Sequence, residues 1–141
     1  MNTGLVLKWG ILSAGLISQD FCTALKSLKS NYHEITAVAA RDLKNAKDFA
    51  EKYKIPYFFD SYQRLCHGSE CNIVYIGSIN TTHKELCLMA IDAGKHVLCE
   101  KPMALSSKEQ EEIFAAAKSK GVFFMEVISL KLNYAIYLFR I

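Results

Sequence analysis

Four short groups of residues in this sequence have the types and spacing that chemistry requires. They are residues 13–18, Arg41-Asp42, residues 77–83 and Glu100-Lys101-Pro102, and each follows a short apolar run. In an open α/β sheet, ligands bind beyond the carboxyl ends of the strands, so groups in these places are expected to lie together. They combine small turn residues, a guanidinium, and an amine beside a carboxylate. Such a set can hold phosphates and position a hydroxyl group for reaction.

The first group lies where an apolar strand passes into a helix. The dinucleotide fingerprint G-x-G-x-x-G would place glycines at positions 13, 15 and 18, where this chain has Ser13, Gly15 and Ser18. Small residues in such a turn let a pyrophosphate approach the backbone N–H groups at the helix N-terminus, so the predicted coenzyme contacts also include Leu16 and Ile17. A lone glycine after a buried strand is also typical of an ordinary structural turn.

The second group, Arg41-Asp42, ends the second apolar run. An acid near this place usually accepts hydrogen bonds from the ribose of NAD, whereas a guanidinium pairs with the 2′-phosphate of NADP. The planar fork of Arg41 suits a phosphate, and Asp42 could still serve a ribose, so the pair favours NADP over NAD. The alternative is a solvated strand end without a ligand.

Lys101 is the predicted catalytic residue. It lies between Glu100 and Pro102, and the proline restricts the backbone of the residue before it. An ammonium group held near a substrate hydroxyl can orient it and stabilise the developing alkoxide while hydride leaves the same carbon. Two interpretations of Glu100 stay open: it pairs with Lys101, or it faces the ribose of the coenzyme.

The loop after the fourth apolar run supplies the remaining candidates, which are Ser78, Asn80 and His83. His83 begins a helix just beyond the strand, where its ring could contact the coenzyme or the substrate. The alternative is a partly exposed histidine at a helix start.

Composition limits the possible classes of protein. The chain has 141 residues, of which 51% are hydrophobic and 22% charged, and its net charge is +3. This describes one globular domain without the basic stripe of a nucleic-acid-binding protein. Five cysteines without a C-x-x-C pair predict buried thiols in a reducing compartment, with neither a disulfide framework nor a metal site. We expect no secretory signal, no membrane span and a cytoplasmic location.

Alternating hydrophobic patterns predict the elements that position the four groups. Short apolar runs predict strands at residues 5–12, 34–40, 57–59, 73–77, 96–99 and 122–125. Apolar residues three and four apart predict five helices between the strands. The first runs through about residue 28, the second buries Ala46, Phe49, Ala50 and Tyr53, and the third is capped by Asp60 or Ser61. The fourth runs from His83 to Gly94, and the fifth is capped by Ser106, turns Ile113, Phe114 and Ala117 inward and ends at Gly121. The alternation predicts an α/β fold with a Rossmann-type, doubly wound parallel sheet.

Two longer segments resemble a known family. Residues 93–102, AGKHVLCEKP, resemble the A-G-K-H-V-x-C/V-E-K-P motif of the glucose-fructose oxidoreductase and inositol dehydrogenase (Gfo/Idh/MocA) family, and residues 74–83, VYIGSINTTH, resemble its V-Y-I-x-T-P-N-x-x-H turn. Residues 9–18 and 37–42 are most similar to the family's dimeric dihydrodiol dehydrogenase branch. That branch also has serine where the first fingerprint glycine is expected.

The resemblance implies an NADP-dependent oxidoreductase that takes hydride from a small-molecule substrate, a trans-dihydrodiol or an aldose such as D-xylose. It implies that Lys101 is the catalytic lysine, that Tyr75 and His83 contact the coenzyme or the substrate, and that Arg41 holds the adenosine phosphate. Full-length members of this branch are homodimers.

The resemblance ends near residue 128. We therefore expect a coenzyme-binding Rossmann domain at residues 1–128 and a divergent apolar tail at residues 129–141, where family members continue into a second, α+β domain. Two functional hypotheses follow. The chain is the coenzyme domain of a dehydrogenase, or it is a nucleotide-binding module without turnover.

Overall fold

A six-stranded parallel sheet forms the centre of the structure. The computed structural model describes residues 4–127, so the predicted tail at residues 129–141 lies outside the described part. The strands are β1 (Leu7–Leu12), β2 (His33–Ala39), β3 (Tyr57–Phe59), β4 (Ile73–Ile76), β5 (His96–Cys99) and β6 (Phe124–Glu126), in the order β3-β2-β1-β4-β5-β6. All five pairings are parallel, so every strand ends at the same edge of the sheet. The order reverses between β1 and β4, which is the switch point where open α/β sheets bind ligands.

Five α-helices connect the strands of the described part. They are α1 (Leu16–Ser27), α2 (Leu43–Tyr53), α3 (Tyr62–Gly68), α4 (His83–Asp92) and α5 (Ser107–Lys120), and a short 3-10 helix, Asn80–Thr82, precedes α4. No helix within residues 4–127 is long and apolar enough to cross a bilayer. The predicted doubly wound parallel sheet is confirmed.

Helices cover both faces of the sheet, and two apolar clusters fill the space between. One cluster contains Trp9, Phe21 and Tyr75, whose rings pack together: the Trp9 and Phe21 centroids are 5.0 Å apart, and Phe21 and Tyr75 stack at 3.9 Å. The other lies under α4 and α5 and includes Ile91 and Ile113. Because both faces are buried, the central strands are almost continuously apolar. All five cysteines are buried and unpaired, as predicted.

The helix ends follow from single residues. Ser61 caps α3 by accepting the N–H of Arg64, while Asp60, the other candidate, pairs with the Arg64 guanidinium at 2.8 Å. Ser106 caps α5 as predicted. Gly94 and Gly121 follow α4 and α5 with φ of 74° and 66°, a left-handed conformation that glycine adopts at little cost.

Two sequence predictions about the C-terminal part were wrong. Phe114 was expected to face inward, but it is 52% exposed and its ring packs edge-on against Phe124, because α5 buries only the narrow face that contains Ile113 and Ala117. The sixth strand is Phe124–Glu126 and not residues 122–125. It therefore ends on Glu126, which places a carboxylate at the edge where ligands bind.

Candidate functional site

A groove of about 550 Å³ runs along the carboxyl edge of the sheet at the switch point. It is bounded by the turn after β1, the end of β2, the start of α3 and the loop after β4. Its walls include Ser13, Gly15, Arg41, Asn45, Tyr62 and Ser78. Two predicted groups, residues 13–18 and Arg41-Asp42, therefore meet in one cavity, and part of the group at residues 77–83 joins them.

The turn after β1 has the conformation of the missing fingerprint glycine. Ser13 has φ of 94°, a region that non-glycine residues rarely adopt, and its N–H donates to the carbonyl of Ala39 at 2.9 Å. That bond joins the turn after β1 to the end of β2, and both of these segments line the groove. The glycine geometry is thus present although the glycine is absent.

The N-terminus of α1 faces this groove without a capping side chain. Gly15 is its N-cap in extended conformation, and the first turn has no acidic residue. In α2, α3 and α5, by contrast, a side-chain oxygen accepts a backbone N–H of the first turn. A Cβ on Gly15 would have no atom nearer than 3.7 Å, so open space lies beside its backbone. Free N–H donors, the positive end of the helix dipole and room for close approach together form an anion site.

At position 18, the third position of the fingerprint, α1 packs closely against the end of β4 through Ser18 and Gly77. Ser18 is fully buried, and the residue opposite it is Gly77, immediately after β4. A Cβ on Gly77 would lie 2.5 Å from Ser18 Oγ and 2.8 Å from the Tyr75 ring, so no larger residue fits there. The glycine needed for close packing lies on the strand side of the contact. Sequence inspection gave Gly77 no such role.

Arg41 and Asp42 have different surroundings. Asp42 caps α2, and its Oδ1 accepts the N–H of Asn45 at 2.9 Å. Arg41 is exposed at the groove, and its guanidinium makes no hydrogen bond or ion pair within residues 4–127. Burial raises the pKa of Tyr62, and the nearby Arg41 charge and a hydrogen bond with Ser13 oppose that rise.

The Glu100-Lys101-Pro102 group follows β5 at the same edge. Glu100 accepts a hydrogen bond from the Tyr75 hydroxyl, with 2.6 Å between the oxygens. Among the described residues it makes no ion pair with Lys101, and its contact with a coenzyme ribose stays a prediction. Tyr75 is fully buried, and burial together with the Glu100 carboxylate raises its pKa. Lys101 is exposed, and no hydrogen bond or ion pair of the described residues engages its amine.

His83 lies beneath the loops after β4 and β5. Its exposure is 1%, so the alternative of a partly exposed helix-start histidine is wrong. The ring nitrogen Nδ1 is 2.7 Å from the carbonyl oxygen of Pro102, and Nε2 is 2.9 Å from that of Ser78. Ser78 itself is half-buried at the groove, while Asn80 and Ile79 are exposed beside it.

Known proteins resemble this chain in sequence. The family model described as "Oxidoreductase family, NAD-binding Rossmann fold" matches residues 7–127. This chain belongs to the Gfo/Idh/MocA oxidoreductase family. The trans-1,2-dihydrobenzene-1,2-diol dehydrogenases of Bos taurus and Mus musculus are each 48% identical to it over 124 residues, which is 88% of this chain and 37% of theirs. The chain thus spans little more than a third of the length of these relatives.

Solved structures of other oxidoreductases share the fold. A 3-ketoreductase from Actinomadura kijaniata, solved in complex with NADP and TDP-benzene, is 30% identical with a TM-score of 0.80, over 86% of this chain and 37% of that one. The WlbA dehydrogenase from Chromobacterium violaceum, solved with NADH and UDP-GlcNAcA, has a TM-score of 0.82 at 22% identity, over 89% of this chain and 36% of that one, which shows the fold alone.

Within this Gfo/Idh/MocA domain, sequence inspection missed two residues at the site, Glu126 and Tyr62, and the packing role of a third, Gly77. Glu126 accepts the N–H of Met103 at 2.9 Å and so holds the chain just after Pro102. Tyr62 closes the groove from α3, and Gly77 admits Ser18. Glu126 could have been found, because an acid that ends a parallel strand lies at the ligand-binding edge. Among the described residues, no group of three or more His, Cys, Asp or Glu side chains is arranged to hold a metal ion.

Proposed function

We propose that this chain binds NADP along the carboxyl edge of its sheet and is the coenzyme domain of a dehydrogenase acting on a trans-dihydrodiol or an aldose such as D-xylose. The observation that carries the proposal is the groove, which combines a helix N-terminus without a side-chain cap with a guanidinium that has no hydrogen-bond or ion-pair partner within residues 4–127. Both features favour an anionic ligand with more than one phosphate. The match to curated dihydrodiol dehydrogenases supports the substrate class.

The pyrophosphate is assigned to the N-terminus of α1. Backbone N–H groups of Gly15, Leu16 and Ile17 begin the helix there, and Ser13 lines the same groove. Leu16 is 79% exposed and Ile17 38% exposed, although both are apolar, and a bound coenzyme would cover part of this surface. The family description of an NAD-binding Rossmann fold supports the same placement.

Arg41 is the proposed contact of the 2′-phosphate. Recognition of NAD depends on an acid that accepts hydrogen bonds from the ribose, but the Asp42 carboxylate already accepts the N–H of Asn45 as a helix cap. The Arg41 guanidinium has no competing partner among the described residues and can pair with a phosphate through two parallel bonds. The groove therefore favours NADP over NAD.

Lys101 is the proposed catalytic residue. Bound NADP supplies the acceptor for a hydride from the substrate carbon. The free amine of Lys101, at the edge where β5 ends, would donate a hydrogen bond to the reacting hydroxyl and stabilise charge that develops on its oxygen. Glu100 follows β5 beside it, and the hydroxyl of buried Tyr75 fixes that carboxylate. Tyr75 thus supports the site from within the core and has no exposed surface for a coenzyme contact.

Coenzyme binding without turnover is the second candidate function. It is favoured by the exposure of Lys101 and by the walls of the groove, which do not include this residue. The groove provides for a nucleotide, whereas the described residues around the Lys101 amine do not enclose a substrate. The test must therefore measure binding and turnover separately.

The binding test compares NADP+ and NAD+ by isothermal titration calorimetry on the 141-residue chain and its Arg41→Ala variant. We expect the Arg41→Ala variant to bind NADP+ about 30-fold more weakly, equivalent to roughly 2 kcal/mol for a charge-assisted pair, with little change for NAD+. Arg64→Ala, which removes an exposed arginine of α3, is the matched control. Equal losses for both coenzymes would contradict the phosphate assignment.

The turnover test follows NADPH formation from a trans-dihydrodiol and from D-xylose. Turnover that Lys101→Met abolishes, with NADP+ affinity retained, would support the dehydrogenase. NADP+ binding with no NADPH formed would support the second candidate function. A chain that binds neither coenzyme would contradict both.

A further inference from the structure

The buried ring of His83 lies between the two loops that form the site. One side contacts Ser78, which lines the groove after β4, and the other contacts Pro102, the neighbour of Lys101 in the loop after β5. In each case the partner atom is a backbone carbonyl oxygen, so each ring nitrogen faces an acceptor. The coenzyme side and the lysine side of the site are therefore connected through one side chain.

The protonation state of the His83 ring follows from the number of N–H donors that its two carbonyl acceptors require. A neutral imidazole carries one N–H and one bare nitrogen, so it can donate to only one of two carbonyl oxygens. The other nitrogen would then direct its lone pair at an oxygen 2.7 or 2.9 Å away, in a place shielded from water. An imidazolium carries two N–H groups and satisfies both acceptors.

The neighbouring titratable groups are thiols. Cys99 at the end of β5 interacts with the ring, and Cys87 of α4 lies beside Cys99. The pKa of Cys99 is raised by Cys87 and by burial, so it stays a neutral thiol, and its Sγ lies 3.3 Å from the Glu100 carbonyl. The nearby charged groups have other partners: Lys84 of α4 pairs with Glu112 of α5, and Glu126 of β6 accepts the Met103 N–H. The two carbonyl oxygens thus remain the direct acceptors for a charged ring.

We propose that His83 is a positioning residue that, as a doubly protonated ring, joins the loop after β4 to the loop that carries Lys101 and so fixes the amine relative to the bound coenzyme. This inference rests on the proposed function for its meaning, because it assigns Lys101 and the groove to one reaction. It differs from a direct coenzyme contact, since the ring is buried and both nitrogens are engaged. Burial alone lowers the pKa of His83, whereas the two carbonyl acceptors raise it, which agrees with the donor count; a charged Cys99 would raise it further.

The first measurement is the 15N spectrum of histidine side chains in the 141-residue chain at pH 8, assigned with a His83→Gln variant. An ordinary imidazole is mostly neutral at this pH. We expect His83 to show two protonated nitrogens, whereas exposed His67 serves as the solvent-exposed reference ring. A single-proton spectrum for His83 would overturn the inference. This measurement needs neither coenzyme nor turnover, so it remains decisive even if the proposed function fails.

The second measurement tests positioning. The amide of His83→Gln can donate to one carbonyl at most while its oxygen faces the other, so we expect NADP+ affinity to fall about fivefold and the side-chain NMR signal of Lys101 to broaden or shift. His96→Gln is the matched control, because His96 lies at the opposite end of β5 and accepts the Phe123 N–H. Circular dichroism confirms that each variant folds. Wild-type NADP+ affinity and an unchanged Lys101 signal in folded His83→Gln would contradict the positioning role.

Discussion

The two halves of the candidate site are built in opposite ways. On the groove side, the first turn of α1 has no cap and the Arg41 guanidinium has no partner among the described residues. On the lysine side, the buried side chains of Tyr75 and His83 and the half-buried Glu126 hold the loop after β5 at three positions: Tyr75 bonds to Glu100, His83 to Pro102 and Glu126 to Met103. The groove side leaves its polar groups unsatisfied, whereas the lysine side satisfies them internally except for the exposed amine of Lys101.

This difference separates binding from positioning. Unpaired donors at an exposed groove contribute little to the stability of the free protein but gain hydrogen bonds when an anion arrives. Buried hydrogen bonds contribute to stability whether or not a ligand is present, and here they fix the backbone around Lys101, the proposed reacting group. We therefore expect substitutions in the groove to change affinity and selectivity, and substitutions under the loop to change stability and geometry.

A substitution at Gly77 should change both coenzyme affinity and stability, because Gly77 lies against both halves of the site. In Gly77→Ala the new Cβ would lie 2.5 Å from Ser18 Oγ of α1 and 2.8 Å from the Tyr75 ring that supports Glu100. Overpacking of a buried site should lower the free energy of unfolding by about 3 kcal/mol. Urea unfolding measures the change, and NADP+ affinity should fall in the same variant.

Two further variants control this prediction. Gly15→Ala adds the same methyl group where the nearest atom is 3.7 Å away, so stability should change by less than about 1 kcal/mol while NADP+ affinity falls. Adding Ser18→Gly to Gly77→Ala removes the closest clash and should restore part of the lost stability, which a double-mutant cycle measures. Additive losses in that cycle would contradict the Ser18 clash.

Raising the pH should weaken the lysine side more than the groove side. The two carbonyl acceptors raise the pKa of His83 on folding above its ordinary 6.5, so its contribution to stability is fully present below pH 6.5 and is lost as the pH rises through the higher pKa of the folded state. Each unit by which folding raises this pKa corresponds to about 1.4 kcal/mol of that loss. Urea unfolding of wild type and His83→Gln between pH 6 and 10 isolates this component, and parallel curves for the two proteins would argue against it.

The fold followed from the sequence because its elements are marked by strong local patterns. Apolar runs gave the strands to within one or two residues, and Ser106, Gly94 and Gly121 marked helix ends through caps that depend on the neighbouring backbone. The errors arose where local pattern was a poor guide. Phe114 is apolar and adjacent to Ile113, yet one residue rotates a helix position by about 100°, which carries Phe114 out of the buried face.

The candidate site was only partly accessible from sequence, for a different reason. The residues that end strands, Arg41 and Lys101 among them, could be listed because parallel strands end at one edge. Their partners could not, since the bonds of Tyr75 to Glu100 and of Glu126 to Met103 join residues 25 and 23 positions apart. No spacing rule connects such pairs before the sheet forms. The packing of Gly77 on Ser18 depends in the same way on how α1 meets β4.

Tyr75→Phe removes one hydrogen bond of the lysine side and leaves the aromatic ring in place. The hydroxyl donates to Glu100 across 2.6 Å, and the loss of a hydrogen bond to a half-buried carboxylate should cost about 1 to 2 kcal/mol of unfolding free energy. The stacking of the ring on Phe21 is retained. Calorimetry should show the same ratio of NADP+ to NAD+ affinity as in wild type. A changed ratio would mean that the lysine side also determines coenzyme choice.

Ser13→Gly provides the smallest and most specific test of the groove side. Ser13 is strained at φ of 94°, which costs a non-glycine residue on the order of 1 to 2 kcal/mol, whereas glycine adopts this backbone freely but loses about 0.5 to 1 kcal/mol more conformational entropy on folding. The variant also loses the Ser13 hydrogen bond with Tyr62, so the net gain in stability should be no more than about 0.5 kcal/mol. Ser13→Ala loses the same bond and keeps the strain, so it should be less stable than both wild type and Ser13→Gly in urea unfolding. If the alanine and glycine variants were equally stable, the backbone strain would be no larger than the extra entropy that glycine loses, about 0.5 to 1 kcal/mol, and a non-glycine residue would be as well suited to this position as glycine.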